Sequence, residues 1–241
     1  MKNKFETFFS EIEKKNIENA IKEAELKTSG EIVAMVVDKS SEYSDSDFMG
    51  SISLSAVISI IPVQIFFSYS DFILRKLIPA MGWYIEIPDA TRFIAGLSFF
   101  ILLTMILHLP LKAILNKAPV LKKLFITNKR MAEKVQDKAF RGFYRHGLNK
   151  TKDGTGVLFF ISVFEKRVHI LADHGIYSKI KQETLDKYAE SISKGIAKGT
   201  GGEALCKAIK DAGQELAGYF PIQSDDVNEL PDEVIVDRGD L

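Results

Sequence analysis

Three acidic side chains lie where the strand pattern of this sequence would bring separate segments to one edge of a sheet. Glu31 begins an apolar run, Asp153 sits in a glycine-rich loop, and Asp173 follows another apolar run. Carboxylates and loop carbonyl oxygens are the ligands that hard divalent cations such as Ca²⁺ and Mg²⁺ accept. An ion held there would polarise a phosphate ester while a bound water attacks it. The pattern therefore predicts a divalent-metal site at Glu31, Asp153 and Asp173, with no catalytic residue assigned.

The same residues also fit an interpretation without a ligand. Acidic side chains at strand ends are usually hydrated, and an aspartate beside a glycine, such as Asp153, commonly closes a turn. His174 follows Asp173 directly and would act as a proton donor or acceptor, or have no special role. Both interpretations stay open at the level of the sequence.

The elements that would position these residues begin with a helix and a strand. The pair Ser10 and Glu13 has the spacing of a capping box, and the helix after it is expected to end near Lys27. The β-branched run from Glu31 to Val37 predicts a buried strand. After the apolar middle of the chain, Thr127 or Asn128 is expected to cap a further helix.

The second half of the sequence predicts a strand hairpin followed by two helices. Val157–Phe164 and Arg167–Ala172 are expected to pair as antiparallel strands around a short turn at Glu165 and Lys166. The first strand reaches the second through a helix, so those two should run parallel. Amphipathic helices near 185–196 and 205–219 close the domain.

The register of the strand hairpin decides where Asp173 lies. If Phe164 faces Arg167 across the turn, Asp173 lies opposite Leu158. The start of the parallel strand that begins at Glu31 should then meet the same edge. This is the geometric basis of the predicted carboxylate cluster.

Two apolar runs interrupt this domain and predict a membrane hairpin. Phe48–Tyr69 and Phe93–Leu111 contain no Asp, Glu, Lys or Arg. As helices they would be about 33 and 28 Å long, which is close to the ~30 Å hydrocarbon core of a bilayer. The alternative is a pair of buried core helices, but such helices normally carry charges on a face that meets water. Trp83 and Tyr84, between the runs, are residue types of the membrane interface.

The charges beside the hairpin predict its orientation. Residues 112–130 contain six basic residues and no acidic one, whereas residues 71–92 carry three of each sign. Because basic flanks favour the cytoplasmic side, both termini and the soluble domain are predicted to lie in the cytoplasm, with the protein in the inner membrane as a two-pass protein.

Composition narrows the classes of function and partner that remain. The chain has 32 basic and 32 acidic residues, and no long basic stripe lies outside the membrane flank. The composition therefore gives no indication of nucleic-acid binding. The single cysteine, Cys206, excludes an internal disulfide framework. The start of the chain lacks the apolar region of a signal peptide, and the acidic end is expected to be extended or mobile. The predicted boundaries are a first domain part at 1–47, the membrane hairpin at 48–115, a second domain part at 116–223 and a tail at 224–241.

Four segments together resemble the TPM-domain family, also called TPM phosphatases. They are TSGEIVAMVV (28–37), GVLFFIS (156–162), KRVHILADHGI (166–176) and GYFPIQSDDVNELPDEV (218–234). The resemblance is to the subgroup in which a transmembrane hairpin interrupts the domain. It implies a compact, three-layer-like α/β sandwich with a small mixed sheet flanked by helices. It also implies divalent-metal binding in some members, phosphatase activity in a plastid branch, and roles in membrane-protein maintenance or assembly in others.

Two functions follow as hypotheses. The first is a membrane-anchored module that binds other membrane proteins and assists their assembly or turnover, with the lipid bilayer and membrane proteins as partners. The second is a metal-dependent phosphatase that holds Ca²⁺ or Mg²⁺ at Glu31, Asp153 and Asp173. The TSGE segment, which includes Glu31, and Asp173 match the family pattern, whereas Asp153 has no matched position.

Overall fold

The structure is a computed structural model, and it describes residues 8–83, 86–223 and 227–237. The chain divides into two compact units. The first, called here the α/β unit, comprises Met1–Glu42 and Asn128–Leu241; the second, called the hairpin unit, comprises Tyr43–Thr127. In chain order the described elements are α1 (Glu11–Glu25), β1 (Glu31–Val37), α2 (Ser44–Phe72), a π-helical segment (Ile73–Leu77), α3 (Ile78–Ala80), α4 (Asp89–Lys117), α5 (Pro119–Lys123), α6 (Asn128–Arg145), a 3₁₀ turn (Leu148–Lys150), β2 (Gly156–Ser162), β3 (Arg167–Ala172), α7 (His174–Tyr177), α8 (Gln182–Lys198), α9 (Gly201–Tyr219) and β4 (Ile235–Asp237).

The α/β unit contains a mixed four-stranded sheet in the order β3-β2-β1-β4. Strand β1 runs parallel to β2 and β4, and β3 runs antiparallel to β2. The predicted strand directions are therefore confirmed. The predicted helix capped by Ser10 is also present, since the Ser10 side chain and the Glu13 side chain each bond the other residue's backbone.

Helices cover both faces of this sheet, which makes an α/β sandwich of three layers. Alternate residues of β1 and β2 point to opposite sides, as the two-residue period of a strand requires. On one face, Ile32 and Phe159 pack in a core with helices α1, α8 and α9. On the other face, Met35 and Phe160 pack against α6. The predicted α/β fold class is confirmed.

The turn between β2 and β3 is longer than predicted. Ser162, rather than Phe164, faces Arg167, so four residues form the turn and Lys166 has a left-handed φ of 54°. The physical reason is that the Glu165 side chain turns inward. Its carboxylate accepts hydrogen bonds from the Ser162 hydroxyl and from the Ser40 backbone N–H, the latter at 2.9 Å.

The acidic end of the chain contributes an element that the sequence did not predict. Strand β4 extends the sheet, with Met35 opposite Ile235 and Val37 opposite Asp237. An ion pair of 3.3 Å between Lys138 of α6 and Asp237 holds this strand, and the two side chains are only 6% and 9% exposed.

The hairpin unit consists mainly of α2 and α4, which pack side by side. Their rings meet at Phe66 and Phe99, with centroids 5.0 Å apart, and at Phe48 and His108, 5.1 Å apart. Helix α4 approaches α2 closely at Gly96, where an added Cβ would lie 2.0 Å from the Phe67 ring. Tyr84, in the predicted connection between the helices, lies outside the described residues.

Both helical segments are long and apolar enough to span a membrane. They run over Ser44–Ala80, which includes α2, the π-helical segment and α3, and over Asp89–Lys117, which is α4. In their most apolar windows, only 22% and 6% of the residues are buried within the structure. The alternative of two buried core helices is therefore wrong.

Candidate functional site

The start of β1 and the end of β3 meet at Gly156, the first residue of β2. Glu31 pairs with Gly156 across the parallel ladder. The Asp173 backbone N–H donates to the Gly156 carbonyl at 2.9 Å. Asp173 thus lies opposite Gly156, two positions away from Leu158, because the turn before β3 is longer than predicted. The two carboxylates nevertheless come from neighbouring positions on one edge of the sheet.

The loop that carries Asp153 packs against the segment after Asp173. The Gly175 N–H donates to the Gly154 carbonyl at 3.1 Å. A Cβ at Gly175 would lie 2.8 Å from the Asp153 carbonyl oxygen, and one at Gly154, where φ is +65°, would lie 2.4 Å from the His174 ring. Glycine is therefore needed at both positions for this contact. The Asp153 side chain itself is exposed to solvent.

The Asp173 carboxylate caps the short helix α7 and keeps one oxygen without a hydrogen-bond partner. Its Oδ1 accepts from the His174 backbone N–H at 2.7 Å and lies 3.0 Å from His174 Nδ1. Its Oδ2 is buried and accepts no hydrogen bond from the described part of the chain. A buried carboxylate oxygen of this kind can accept a bond from a water or a cation.

The Glu31 side chain turns toward the end of the chain. It is 7% exposed, and its Oε1 accepts from the Glu229 backbone N–H at 3.2 Å. The Glu229 carboxylate in turn accepts from the Lys152 N–H at 3.1 Å. The segment before β4 therefore joins the loop before β2 to the start of β1.

A second acidic pair lies beside Glu31, and sequence reasoning missed it. Glu25, at the end of α1, accepts from the Ile32 backbone N–H at 2.8 Å. Burial, together with the nearby Glu31 and Asp232 carboxylates, raises the pKa of Glu25 to about 9, against the smaller opposing effect of the Ile32 bond. The Glu25 carboxyl is thus protonated at neutral pH and can donate to Asp232. Asp232 lies in the predicted tail, so no local pattern around Glu25 marks this arrangement.

The acidic side chains do not form a preassembled metal centre. Over residues 8–83, 86–223 and 227–237, no group of three or more His, Cys, Asp or Glu side chains is arranged to hold a metal ion. The segments that carry Glu31, Asp153 and Asp173 meet, but the Glu31 carboxylate bonds the C-terminal segment and the Asp153 side chain is exposed. Metal binding at these residues stays a prediction.

The hairpin unit contains a stripe of buried and half-buried polar side chains that the sequence analysis also missed. This stripe, called here the polar seam, consists of Ser46, Asp47, Ser51, Ser55 and Ser59 of α2, Thr104 and His108 of α4, and Lys122 of α5. The Ser51 hydroxyl lies 2.9 Å from His108 Nδ1 and also bonds the Asp47 carbonyl at 2.7 Å. The four-residue spacing of Asp47, Ser51, Ser55 and Ser59 in the sequence is the signal that could have revealed it.

An ion pair closes one end of the polar seam. Lys122 Nζ lies 2.8 Å from Asp47 Oδ2, and the two side chains are 10% and 5% exposed. At the other end of the hairpin, Arg92 pairs with Asp71, and Arg75 lies 3.6 Å from Asp71. The charged groups of the two long helices are thus concentrated at the two ends of the apolar stretch.

Comparison with known proteins supports the fold alone. No protein-family model and no curated protein matches the chain. A solved structure, the NMR structure of the BA42 protein from the psychrophilic bacterium Bizionia argentinensis, is similar with a TM-score of 0.54 and 21% sequence identity. The alignment covers 97% of this chain and 99% of that chain. At this identity the likeness concerns the fold and carries no activity or ligand to this protein.

Proposed function

We propose that this chain is an integral membrane protein with two spans and that its α/β unit is a binding and assembly module for other membrane proteins. The observation that carries the membrane proposal is the exposure of the two long helices. Leu97, Ile101 and Met105 of α4 are each about half exposed or more, and together they present apolar surface along the helix. In water this surface would favour aggregation, whereas lipid chains would cover it.

The spacing of the charged ends supports the same proposal. From Asp47 to Asp71, α2 rises about 36 Å, and from Arg92 to Lys112, α4 rises about 30 Å, at 1.5 Å per residue. These lengths fit a hydrocarbon core of ~30 Å with a modest tilt. The polar seam faces the partner helix instead of lipid, which is the placement expected for polar groups within a membrane.

The flanking charges support the cytoplasmic orientation. The basic residues of 112–130 lie beyond the end of the apolar stretch of α4, and the opposite end carries mixed charges. By the positive-inside rule the α/β unit then lies at the cytoplasmic face of the inner membrane. A domain held there meets the cytoplasmic segments of other membrane proteins at high local concentration. This is the support for a binding and assembly role, to which the TPM-like sequence segments add.

The membrane part is tested by extraction. In isolated membranes the full chain should resist alkaline carbonate and dissolve only in detergent. Lysines at Ile101 and Met105 should abolish this resistance, because a charge near the bilayer centre costs about 2.5–3.5 kcal/mol per residue. The matched control is Ile12→Lys, which alters an apolar residue of α1 that is 75% exposed and should leave extraction unchanged.

The binding role is tested by crosslinking in the native membrane, followed by detergent extraction and purification of the full chain. A stable stoichiometric membrane-protein partner is expected. Purification of the crosslinked chain with no membrane protein attached would count against the module.

A metal-dependent phosphatase is the second candidate, and the buried Asp173 Oδ2 favours it. Titration of the detergent-solubilised chain with Ca²⁺ or Mg²⁺ should then raise its melting temperature through binding linkage. Asp173→Asn should remove that rise, while Asp211→Asn, an exposed change on α9, should retain it. If no divalent ion shifts the melting temperature, the carboxylates are hydrated and bind no metal.

A further inference from the structure

The chain passes beyond the start of α2 at the end of α4 and then turns back toward it. His108 of α4 packs on α2 near its start, and α4 continues to Lys117, which lies about 13 Å farther along the helix. The ion pair of Lys122 with Asp47 brings α5 back beside the first turn of α2. Residues 118–125, called here the return segment, therefore run back toward the level at which the apolar stretch of the hairpin begins.

A second contact fixes the level of the return segment. The Phe125 ring lies over Gly50 of α2, where an added Cβ would be only 2.7 Å from the ring. Asp47 is the last charged residue before the apolar run of α2, and Gly50 lies about 4.5 Å farther along that helix. In a bilayer these two positions lie at the boundary between the headgroups and the hydrocarbon core. The contacts therefore place the return segment at that boundary.

The outer side of the return segment is apolar and exposed. Val120 is 78% exposed, Leu124 is 76% exposed and Leu121 is 42% exposed. Val120 and Leu124 are four residues apart in a helical stretch, so they lie on one face. A helical face of this kind at a membrane boundary is covered by lipid, in the manner of helices that lie in the interface plane.

Lysines dominate the charge at this end of the hairpin unit. Residues 112–127 contain four lysines and no acidic residue, whereas residues 43–50 contain two aspartates and no basic residue. The buried pair of Lys122 with Asp47 uses one of each, which leaves three lysines and one aspartate. Lys117 is exposed, and its ammonium group has no partner in the part of the chain that the structure describes. The end of α4 therefore presents a free positive charge beside the exposed apolar face.

We propose that the return segment is an interfacial anchor that binds an anionic phospholipid. This inference rests on the proposed two-span membrane protein and names the class of lipid that it contacts. Val120 and Leu124 lie among the acyl chains close to the headgroups, and Lys117 donates a charge-assisted hydrogen bond to the lipid phosphate. A headgroup that carries a net negative charge matches the excess of lysine at this level, whereas a zwitterionic headgroup does not.

Two single-tryptophan variants measure the depth of the return segment in lipid nanodiscs. Trp83 is the single native tryptophan, so both variants carry Trp83→Phe. Leu124→Trp reports the return segment, and Leu102→Trp, at a residue of α4 that is 58% exposed, reports the bilayer centre. Lipids brominated near the headgroup should quench the fluorescence at position 124 most strongly. Lipids brominated near the chain end should quench the fluorescence at position 102 most strongly.

The class of lipid is tested at position 124 with brominated phosphatidylglycerol and brominated phosphatidylcholine at equal, low mole fractions. The anionic lipid should be preferred about fivefold, which is the factor that one lysine near an anionic surface supplies. Lys117→Gln should remove most of this preference. Lys76→Gln, the matched control at an exposed lysine of the π-helical segment, should retain it. High salt should reduce the preference, because the lysine is exposed to solvent.

Three results would overturn the proposal. The first is equal quenching by the two lipids, and the second is a preference that Lys117→Gln leaves intact. The third is a tryptophan at position 124 that neither brominated lipid nor aqueous acrylamide quenches, because protein would then cover the segment. Lys117→Gln in the Leu102→Trp protein should leave the quenching at position 102 unchanged, which shows that the hairpin is still inserted.

Position 102 also separates this inference from the proposed function. If brominated lipid quenches position 102 and leaves position 124 unquenched, the two membrane spans stand and the anchor is wrong. If it quenches neither position, the two-span proposal itself is wrong.

Discussion

The Glu25 carboxyl makes the stability of the α/β unit depend on pH. Its pKa is raised to about 9 by burial and by its acidic neighbours Glu31 and Asp232. In an unfolded chain the pKa of glutamate is about 4.3. Between these values the folded state keeps the proton and the unfolded state releases it. The stabilisation is therefore complete below the unfolded pKa and is lost progressively as pH rises to about 9.

We expect Glu25→Gln to stabilise the α/β unit at neutral pH and to flatten this dependence. Glutamine is neutral at every pH, can accept from the Ile32 N–H, and can donate to Asp232. The gain should be on the order of a few kcal/mol, since each pKa unit corresponds to about 1.4 kcal/mol. Chemical unfolding of the full chain in detergent between pH 5 and 9 measures it.

The control for this prediction is Glu23→Gln. Glu23 lies on the same helix, where its bond to Lys210 lowers its pKa, and it is exposed. It should leave the slope of stability against pH nearly unchanged over that range. A steep slope that persists in Glu25→Gln would assign the pH dependence to another group.

The pair of Asp47 and Lys122 gives a second prediction at the scale of single residues. Lys122→Met leaves the Asp47 carboxylate buried beside an apolar group. Removing one partner of a buried ion pair typically costs about 3–5 kcal/mol. We expect a clear fall in the melting temperature of the hairpin unit. The fluorescence of Trp83 measures this temperature.

The double variant Asp47→Leu with Lys122→Met separates charge from packing. It removes both charges and should recover most of the lost stability, as replacement of buried ion pairs by apolar residues often does. If the double variant is as unstable as Lys122→Met alone, the loss arises from packing around α5 and the charge argument is wrong.

At the scale of elements, the sequence was sufficient for the central strands and insufficient for the edges. The runs that form β1 and β2 are buried on both faces, so their composition alone marks them as strands. The register of β3 was missed because Glu165 bonds Ser40, a residue far away in the chain. The pairing of β4 was missed because three residues of an acidic segment carry no strand signal until β1 is present beside them.

Contacts between residues far apart in the chain also explain why the sequence predicted only part of the acidic edge that carries Glu31 and Asp173. Strand directions were enough to predict that the segments of Glu31 and Asp173 meet. The direction of the Glu31 side chain depends on Glu229, which reaches the site from the end of the chain, and that of Asp173 depends on its cap of α7. A sequence pattern places backbone segments, whereas these hydrogen bonds decide where each carboxylate points.

The docking of β4 is tested through Lys138. In Lys138→Met the Asp237 carboxylate loses its ion pair, so we expect β4 to separate from β1 more often. The Ile235 N–H points toward β1, and its amide should then exchange at least about tenfold faster, which corresponds to a loss of about 1.4 kcal/mol. Lys134→Met, an exposed change on the same helix, should not alter this rate. Unchanged exchange in Lys138→Met would show that the backbone ladder alone holds β4.

At the scale of the whole molecule, composition alone identified the interruption of the domain. Two stretches without a charged side chain are rare in a soluble chain of this length, and a helix without charges has no face suited to water. The structure adds that the exposed surface of these helices is mainly apolar and that the polar seam lies between them, although Ser53, Gln64, Ser68 and Ser98 are exposed. The sequence could not show the second point, because it depends on how α2 and α4 are rotated about their axes.

Orientation is the prediction that belongs to the molecule as a whole. On a background with Cys206→Ala, single cysteines at Trp83 and Lys187 report the hairpin connection and the α/β unit, and both native side chains are exposed. A membrane-impermeant maleimide added to spheroplasts, whose inner membrane is intact, should label position 83 only. Position 187 should react only after the membrane is opened.

Replacing Lys112, Lys117 and Lys123 by glutamine removes much of the positive flank without touching the Lys122 pair, so a fraction of the chains should then show the reverse pattern. Labelling of position 187 in intact spheroplasts with the native flank would place the α/β unit outside the cytoplasm and would overturn the proposed orientation.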